Sequence, residues 1–319
     1  MLALWLLLAQ VSQPNGGGLE PGRLPLEWST GGPRCMESPD FFIHEYNADL
    51  FILRESGCSH YEKPFLFLVF GQERVMLLDT GAGKSELAPL IDRLITQWSD
   101  RHQRPKPKLL VAHTHSHGDH KSRDKQFEGR PEVDVIPATV EATRKAFGLR
   151  PSPEGSGQLD LGQRTLDVLG MPGHDAAAIV FYDRRTGILF TGDNIYPGRL
   201  YVRDWPAYTR STQRLVDFAE SHLISHLLGN HIEQSTTPFL EFPIGSIYQP
   251  HEHVLELGRA HLMELNQELI RLKGKPARVA LRDFTIYPST PGTPEMRKTM
   301  VETEKQQRTT QYAQPPVER

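Results

Sequence analysis

The chain has 319 residues, which is long for one compact domain and short for two full-sized ones. A hydrophobic fraction of 38% and a charged fraction of 24% exclude a wholly disordered chain and a polytopic membrane protein. The formal net charge of −3 lacks the basic excess of a nucleic-acid-binding domain. We therefore expect one large globular domain that binds no nucleic acid.

The chain begins with an apolar run, MLALWLLLAQVSQ, followed by a glycine-rich segment. This run is too short to span a bilayer and is typical of a signal-peptide core, although no lysine or arginine precedes it. We therefore expect residues 1–20 to be a signal peptide or a disordered start, with no stable membrane insertion. The expected location is secreted or periplasmic, and the alternative is cytoplasmic. The two cysteines, Cys35 and Cys58, could pair in an oxidising compartment or stay reduced in the cytosol.

Short apolar runs separated by polar breaks predict a meander of strands between residues 41 and 78. Apolar residues at three- and four-residue spacing then predict an amphipathic helix over residues 84–98. The elements predicted next are a strand over 108–112, a strand over 133–137, a helix over 139–147 and a loop over 151–157.

The second half continues the alternation of strands and helices. The predicted strands cover 165–169, 178–182, 188–191, 223–228 and 279–286, and the predicted helices cover 209–222 and 252–272. This alternation predicts an α/β layered domain over residues 41–287, with helices outside the sheets. Residues 288–319 are rich in threonine, proline, glutamine and charge, which predicts a flexible C-terminal tail.

A cluster of histidines follows the predicted strand 108–112, in the segment HSHGDH. Residues two apart in an extended loop point the same way, so His115 and His117 can chelate one metal ion. Gly118 permits a sharp turn, after which Asp119 and His120 can face a second ion. Imidazole and carboxylate groups without thiolate suit zinc, iron or manganese.

The segment HSHGDH resembles the HxHxDH signature of the metallo-β-lactamase superfamily. Other landmarks of that family occur in the expected order: Asp79 in LLDTG, His174 in MPGHD, Asp193 in LFTGD and His231 in LLGNH. The resemblance implies a four-layer αββα sandwich whose metals lie at one edge, between two sheets.

The resemblance also implies a complete ligand set for two Zn²⁺ ions, with iron or manganese as alternatives. The implied ligands are His115, His117 and His174 for the first metal, Asp119, His120 and His231 for the second, and Asp193 bridging the two. Asp79 would orient a ligand from behind, the usual role of a carboxylate hydrogen-bonded to a metal-bound histidine.

An aspartate at position 193 makes the chain similar to the glyoxalase II and lactonase-like members rather than to true β-lactamases. The resemblance implies a hydrolase in which a hydroxide shared by the metals attacks a small ester, thioester, lactone or related substrate. Asp119 would be the catalytic residue that orients this hydroxide. The alternatives are an iron-dependent, persulfide dioxygenase-like oxidoreductase and, with less support, a β-lactamase or phosphodiesterase. A non-catalytic metal-binding protein is a third hypothesis.

The segment that follows Asp193, NIYPGRLYVRDWPAY, is rich in aromatic and basic side chains suited to a polar or anionic substrate. The candidate substrate-binding residues are Tyr196, Arg199, Tyr201, Arg203 and Trp205. The alternative is a structural loop that packs on the helix after it. His251 and His253 are expected at the surface, and the expected partner is a small molecule. The oligomeric state cannot be read from the sequence.

Overall fold

The computed structural model of the chain describes residues 18–29, 38–150, 154–288 and 293–312. The strands are β1 Phe41–Asn47, β2 Leu50–Glu55, β3 Phe65–Phe70, β4 Arg74–Leu78, β5 Lys108–Ala112, β6 Val133–Val135, β7 Ser156–Asp160, β8 Thr165–Gly170, β9 Ile179–Asp183, β10 Ile188–Gly192, β11 Arg199–Tyr201, β12 His226–Gly229, β13 Glu256–Leu257, β14 Val279–Ala280 and β15 Thr285–Tyr287. The helices are α1 Ala88–His102, α2 Gly118–Lys121, α3 Val140–Phe147, α4 Trp205–Ser221, α5 Arg259–Arg271 and α6 Pro294–Tyr312. None of the helices in these ranges is long and apolar enough to cross a membrane.

Two six-stranded sheets form the centre of the fold. The first has the order β1-β2-β3-β4-β5-β6, and the second has the order β13-β12-β10-β9-β8-β7. A smaller sheet has the order β11-β15-β14. Every residue of β2, β3, β9 and β10 is buried, so both faces of these central strands are covered.

Three apolar clusters define four layers. The inner cluster joins the facing sides of the two sheets, where the rings of Phe67 and Phe190 lie 4.7 Å apart. A second cluster packs the outer face of the first sheet against α1, and a third packs the outer face of the second sheet against α4 and α5. The predicted four-layer αββα sandwich is therefore confirmed.

Several elements start later than the sequence patterns predict. Helix α1 begins at Ala88 rather than residue 84, because Pro89 favours the first turn and Gln126 Oε1 accepts hydrogen bonds from the Leu87 and Ala88 amides. Helix α5 begins at Arg259 rather than residue 252, because the preceding Glu256–Leu257 pair with β12 as a strand.

Three further segments differ from the predicted elements. The predicted loop 151–157 overlaps β7, which begins at Ser156 and pairs with β8. The predicted strand 279–286 is a hairpin of β14 and β15. Strand β11 lies within the candidate substrate loop and was not predicted, because its pairing with β15 joins segments more than 80 residues apart and leaves no local pattern.

The C-terminal segment differs from the expectation of a flexible tail over residues 288–319, because Pro294–Tyr312 form helix α6. Thr293 Oγ1 accepts from the Met296 amide at the start of the helix. Gln307 Oε1 accepts from the backbone amides of Ile247 and Tyr248 at 2.7 and 3.2 Å. Hydrogen bonds from backbone amides to Gln307 therefore hold part of the helix in place. A pattern of apolar residues in the sequence does not indicate such bonds.

Some expectations fall on residues that the structure does not describe. The apolar run within residues 1–17 and Cys35 lie outside the described ranges, whereas Cys58 is not a free thiol. The domain boundaries at residues 41 and 287 stay a prediction.

A buried arginine joins the two sheets. Arg164, between β7 and β8, donates to both carboxylate oxygens of Asp183 at 3.1 and 2.6 Å. It also donates to the carbonyl oxygens of Asp49 and Phe70 in the first half of the chain, at 2.7 and 3.0 Å. Burial alone would raise the pKa of Asp183, but Arg164 and Thr186 lower it below its ordinary value. Removing one partner of such a pair leaves the other charge buried and unpaired.

We expect Arg164→Ala to lower the free energy of unfolding by about 3–5 kcal/mol, measured by chemical denaturation near pH 7. Because the folded-state pKa of Asp183 is depressed, this contribution is present above about pH 4 and is lost as the pH falls further. The control is Arg184→Ala, which removes a half-exposed partner of Asp167 and should cost about 1 kcal/mol or less. Equal losses in both variants would contradict this account.

Candidate metal centre

The predicted ligands meet at one edge of the sandwich. His115 and His117 follow β5, Asp119 and His120 lie in α2, Asp193 directly follows β10, and His231 lies two residues beyond the end of β12, while His174 lies in the turn between β8 and β9. Because β10 and β12 run parallel, their carboxyl ends lie side by side. Residues separated by more than 100 positions in the chain are therefore brought into contact.

Three histidines form the first cluster. The Nδ1 atom of His117 lies 3.0 Å from Nε2 of His115 and 3.1 Å from Nε2 of His174. These three atoms lie within a space that could hold one metal ion. His117 thus presents Nδ1 to the cluster, and the other two histidines present Nε2.

Two histidines and two aspartates form the second cluster. Asp119 Oδ2 lies 3.2 Å from His120 Nε2 and 3.3 Å from His231 Nε2. Asp193 Oδ1 lies 3.6 and 3.5 Å from the same two nitrogens. This cluster offers two nitrogen and two oxygen donors.

Asp193 joins the two clusters. Its Oδ1 atom faces the second cluster, while its Oδ2 atom lies 3.8 Å from His115 Nε2 and 3.6 Å from His174 Nε2 in the first. Each oxygen of this one carboxylate therefore faces a different set of imidazoles. This is the arrangement in which a carboxylate can bridge two ions.

The histidine nitrogens that point away from the clusters are held by hydrogen bonds. The pairs are His115 Nδ1 with Thr114 Oγ1 at 3.1 Å, His120 Nδ1 with Asp79 Oδ2 at 3.0 Å, His174 Nδ1 with the Tyr201 carbonyl at 2.8 Å and His231 Nδ1 with the Glu62 carbonyl at 3.0 Å. A carbonyl or carboxylate oxygen accepts only, so we assign the proton to Nδ1 of His120, His174 and His231 in the neutral imidazole. Their Nε2 lone pairs then face the clusters.

These residues fit divalent metal ions. His117 Nδ1 can carry one proton at most, so its contacts with His115 Nε2 and His174 Nε2 at 3.0 and 3.1 Å cannot both be full hydrogen bonds. In addition, Asp193 Oδ1 is buried and has no hydrogen-bond donor. A cation in each cluster would satisfy both sets of atoms, and buried charges in proteins are normally paired or bound to metals.

The pKa shifts of the histidines differ between the two clusters and follow the charges around them. Burial and the neighbouring imidazoles hold the pKa of His115 well below its ordinary value, and burial also lowers the pKa of His174, so both present the neutral form that binds metals. Burial alone would lower the pKa of His120, but Asp119, Asp193 and Asp79 raise it well above the ordinary value. The second cluster therefore carries the excess of negative charge.

Asp79 contacts the second cluster from behind. Its backbone has a φ of +68°, and its carboxylate accepts from the amide and hydroxyl of Thr114, both at 2.8 Å, and from Asn230 Nδ2 at 2.9 Å. The same carboxylate contacts His120 on the ring edge opposite the cluster. Asp79 thereby joins the strand-end segments of β4, β5 and β12 around one side chain.

Three residues beside the ligands were not predicted from the sequence. Thr114 and Asn230 bind Asp79, and Asp175 Oδ2 accepts from the Ser116 hydroxyl at 2.8 Å and lies 4.0 Å from His117 Nε2. Each of the three is the immediate sequence neighbour of a histidine ligand, which is the signal that could have identified them.

The other histidines of interest lie outside both clusters. His113 is buried and contacts Asp124 at 2.9 Å and the Ile136 carbonyl at 3.0 Å, so it is neither a ligand nor solvent-facing. His251 is exposed, and His253 lies 3.1 Å from Asp283.

The five candidate substrate-binding residues separate into two groups. Tyr196 is buried and its hydroxyl donates to the Arg199 carbonyl, while the Arg199 side chain pairs with Glu233 and Glu241 at 2.9 and 2.8 Å. Both side chains are therefore bound within the protein. Tyr201 instead lines a cavity of about 310 Å³, and Arg203 and Trp205 line one of about 840 Å³ that reaches His174.

Comparison with known proteins gives three kinds of similarity. The family model of the metallo-β-lactamase superfamily matches residues 64–222. Human acyl-coenzyme A thioesterase MBLAC2 is 25% identical over 236 residues, covering 61% of this chain and 83% of that protein. The hydroxyacylglutathione hydrolase of Chelativorans sp. (strain BNC1) is 32% identical over 114 residues, covering 35% of this chain and 44% of that protein. A metallo-β-lactamase from Pontibacter korlensis is 18% identical, with a TM-score of 0.46, covering 72% of this chain and 99% of the other.

The family match spans β3 to α4 and includes six of the seven residues that form the two clusters. His231, the seventh, lies in the order that the family resemblance implies. The chain belongs to the metallo-β-lactamase superfamily, and it is a metallo-hydrolase of that class.

We expect Asp79→Asn to weaken metal binding by about 10- to 100-fold, because a donor amide would replace the acceptor that orients His120. Asparagine tolerates the left-handed backbone at this position, so the fold should persist. Competition with a chromogenic chelator measures the affinity, and circular dichroism checks the fold. His251→Ala is the control for removing an exposed histidine, and an unchanged affinity in Asp79→Asn would contradict the proposed orienting role.

Proposed function

We propose that the chain is a dinuclear metal-dependent hydrolase, with zinc as the metal, that cleaves small thioesters. The observation that carries this proposal is the single carboxylate of Asp193, whose two oxygens lie 3.5–3.8 Å from imidazoles of two separate clusters. The donor sets contain only nitrogen and oxygen, which suits zinc in a catalytic site that retains an open position.

The substrate class is supported by the relatives rather than by the fold. One relative is named as an acyl-coenzyme A thioesterase and another as a hydroxyacylglutathione hydrolase. Both names describe removal of an acyl group from a thiol-bearing carrier. The ester and lactone substrates that the sequence also predicts are therefore secondary candidates.

When bound, the divalent ions would supply a water of lowered pKa and an electrophile for the substrate carbonyl. The residues of this chain position the metal-donor atoms and accept and release the proton. Asp119 is the most exposed carboxylate of the ligand set, with 21% of its side chain accessible, compared with 8% for Asp193. It therefore lies between the second cluster and solvent, where it can accept a proton from the attacking water and pass it to the leaving group.

The fold supports this role by fixing the Asp119 carboxylate. Burial alone would raise its pKa, but His120 and His231 hold the pKa well below the ordinary value. The carboxylate is therefore ionised before substrate arrives and can accept a hydrogen bond from the attacking water. A thiolate leaving group has a pKa of about 8.5, so it requires less protonation than an alkoxide would.

We expect Asp119→Asn to lower kcat on a thioester by at least about 100-fold while the protein stays folded, because an amide cannot accept the proton. The measurement uses metal-quantified protein and a panel of a thioester, a homoserine lactone, an aryl ester, a phosphodiester and a cephalosporin. Asp100→Asn, on the exposed face of α1, is the control and should keep full activity.

Near-normal turnover by Asp119→Asn would contradict its catalytic role. A wild-type preference for the lactone or phosphodiester over the thioester would contradict the proposed substrate. Sulfite production from a persulfide by the iron-loaded protein would instead support the oxidoreductase alternative.

A further inference from the structure

A cavity of about 310 Å³ opens beside the second cluster. Its inner wall includes Glu62, Tyr201 and Ile232. The backbone carbonyl of Glu62 accepts from His231 at 3.0 Å, and that of Tyr201 accepts from His174 at 2.8 Å. The cavity therefore begins at residues that directly contact the ligands of both clusters.

An apolar wall of the cavity comes from two segments distant in sequence. Pro243 and Ile244 contribute from the loop after His231, and Met296 and Met300 contribute from α6. Methionine side chains are flexible and adapt to apolar ligands of varied shape.

Two charged side chains beside the cavity, Lys63 and Glu233, are bound within the protein. Lys63 Nζ donates to the carbonyls of Tyr61 and Ser246 at 2.7 and 2.6 Å, and Glu233 pairs with Arg199. The other polar lining residues are Tyr61, Glu62, Tyr201, Ser246, Gln249 and Arg297, so the cavity is mixed in character, and an apolar group would be buried against the wall of Pro243, Ile244, Met296 and Met300. An apolar group gains free energy from this burial without requiring new hydrogen bonds.

Helix α6 is fixed against the loop that forms the rest of the wall. Gly245 has a φ of +89°, and a Cβ atom there would lie 2.5 Å from the Met300 carbonyl oxygen. The absence of a side chain at Gly245 therefore allows the loop to touch the helix backbone. Gln307, two turns further along, binds the amides of Ile247 and Tyr248. The methionines are held in place rather than left on a loose segment.

The size of the cavity limits what it can hold. Its volume is near the lower end of the range for ligand pockets, about 300–1,000 Å³, and equals roughly ten water molecules. That is enough for an acyl chain of medium length, such as octanoyl, but not for a whole acylated carrier. The cavity of about 840 Å³ beside His174 provides separate space for the carrier.

We propose that the smaller cavity receives the acyl group of the substrate and that Met296 and Met300 of α6 set the acyl chain length. This inference rests on the proposed function, because the scissile carbonyl must lie at the metal centre for its chain to enter the cavity. Helix α6 is then a specificity element, although it contributes no metal ligand.

The test compares Met300→Trp, which fills the cavity, with Met300→Ala, which enlarges it. Thioesters of one carrier, from acetyl to dodecanoyl, give the chain-length profile of kcat/KM. Met300→Trp should lower kcat/KM for octanoyl by at least about tenfold and leave acetyl within about twofold, while Met300→Ala should shift the optimum to longer chains. Ile244→Trp fills the cavity from the loop segment of the same wall, in case the first variant does not fold. Thr299→Trp adds the same bulk on the exposed face of α6 and should change neither substrate.

A binding measurement separates this inference from the proposed function. Isothermal titration calorimetry on the metal-loaded protein should show octanoate binding at least about tenfold more tightly than acetate. Met300→Trp should abolish this preference, and Thr299→Trp should retain it.

An unchanged chain-length profile and an unchanged octanoate preference in the Met300 and Ile244 variants would overturn the acyl assignment while thioester cleavage persists. A wild-type protein that cleaves no thioester, yet shows an octanoate preference that Met300→Trp removes, would overturn the proposed function and leave the acyl cavity supported.

Discussion

The structure depends on one electrostatic constraint, the close approach of lone-pair donors inside the protein. The Nδ1 atom of His117 lies about 3 Å from two other imidazole nitrogens, and a buried oxygen of Asp193 has no hydrogen-bond donor. Buried polar groups that lack a full set of partners are costly, and a bound cation would remove that cost. The fold must therefore supply free energy to hold them together, and metal binding should return part of it as stability.

The sandwich supplies this free energy through its strand ends. Strands β5, β10 and β12 end at the same edge, and their central parts are buried on both faces, so the positions of the ligands are fixed by the packed core. Arg164, which pairs with Asp183, joins the sheets away from the metal centre through the carbonyls of Asp49 and Phe70. Asp79 then connects the strand ends directly, since one carboxylate binds Thr114, His120 and Asn230.

The sequence predicts the ligands and the layers better than the cavities. Histidines and aspartates at fixed spacings after apolar strands identify the clusters, because the chemistry of the side chains appears directly in the residue types. Arg199 was expected to face a substrate, but its burial depends on Glu233 and Glu241, which lie more than 30 residues away. The wall formed by α6 was likewise hidden, because Gln307 and Met300 contact a loop about 55 to 60 residues distant rather than forming a local pattern.

The central claim is that two metal ions share the carboxylate of Asp193. Anomalous X-ray diffraction from crystals of zinc-loaded protein, collected on both sides of the zinc absorption edge, tests it most directly. The account predicts two peaks, one within the His115, His117 and His174 cluster and one beside Asp119 and His231, each adjacent to a different oxygen of Asp193. A single peak, or zinc bound away from Asp193, would contradict the account.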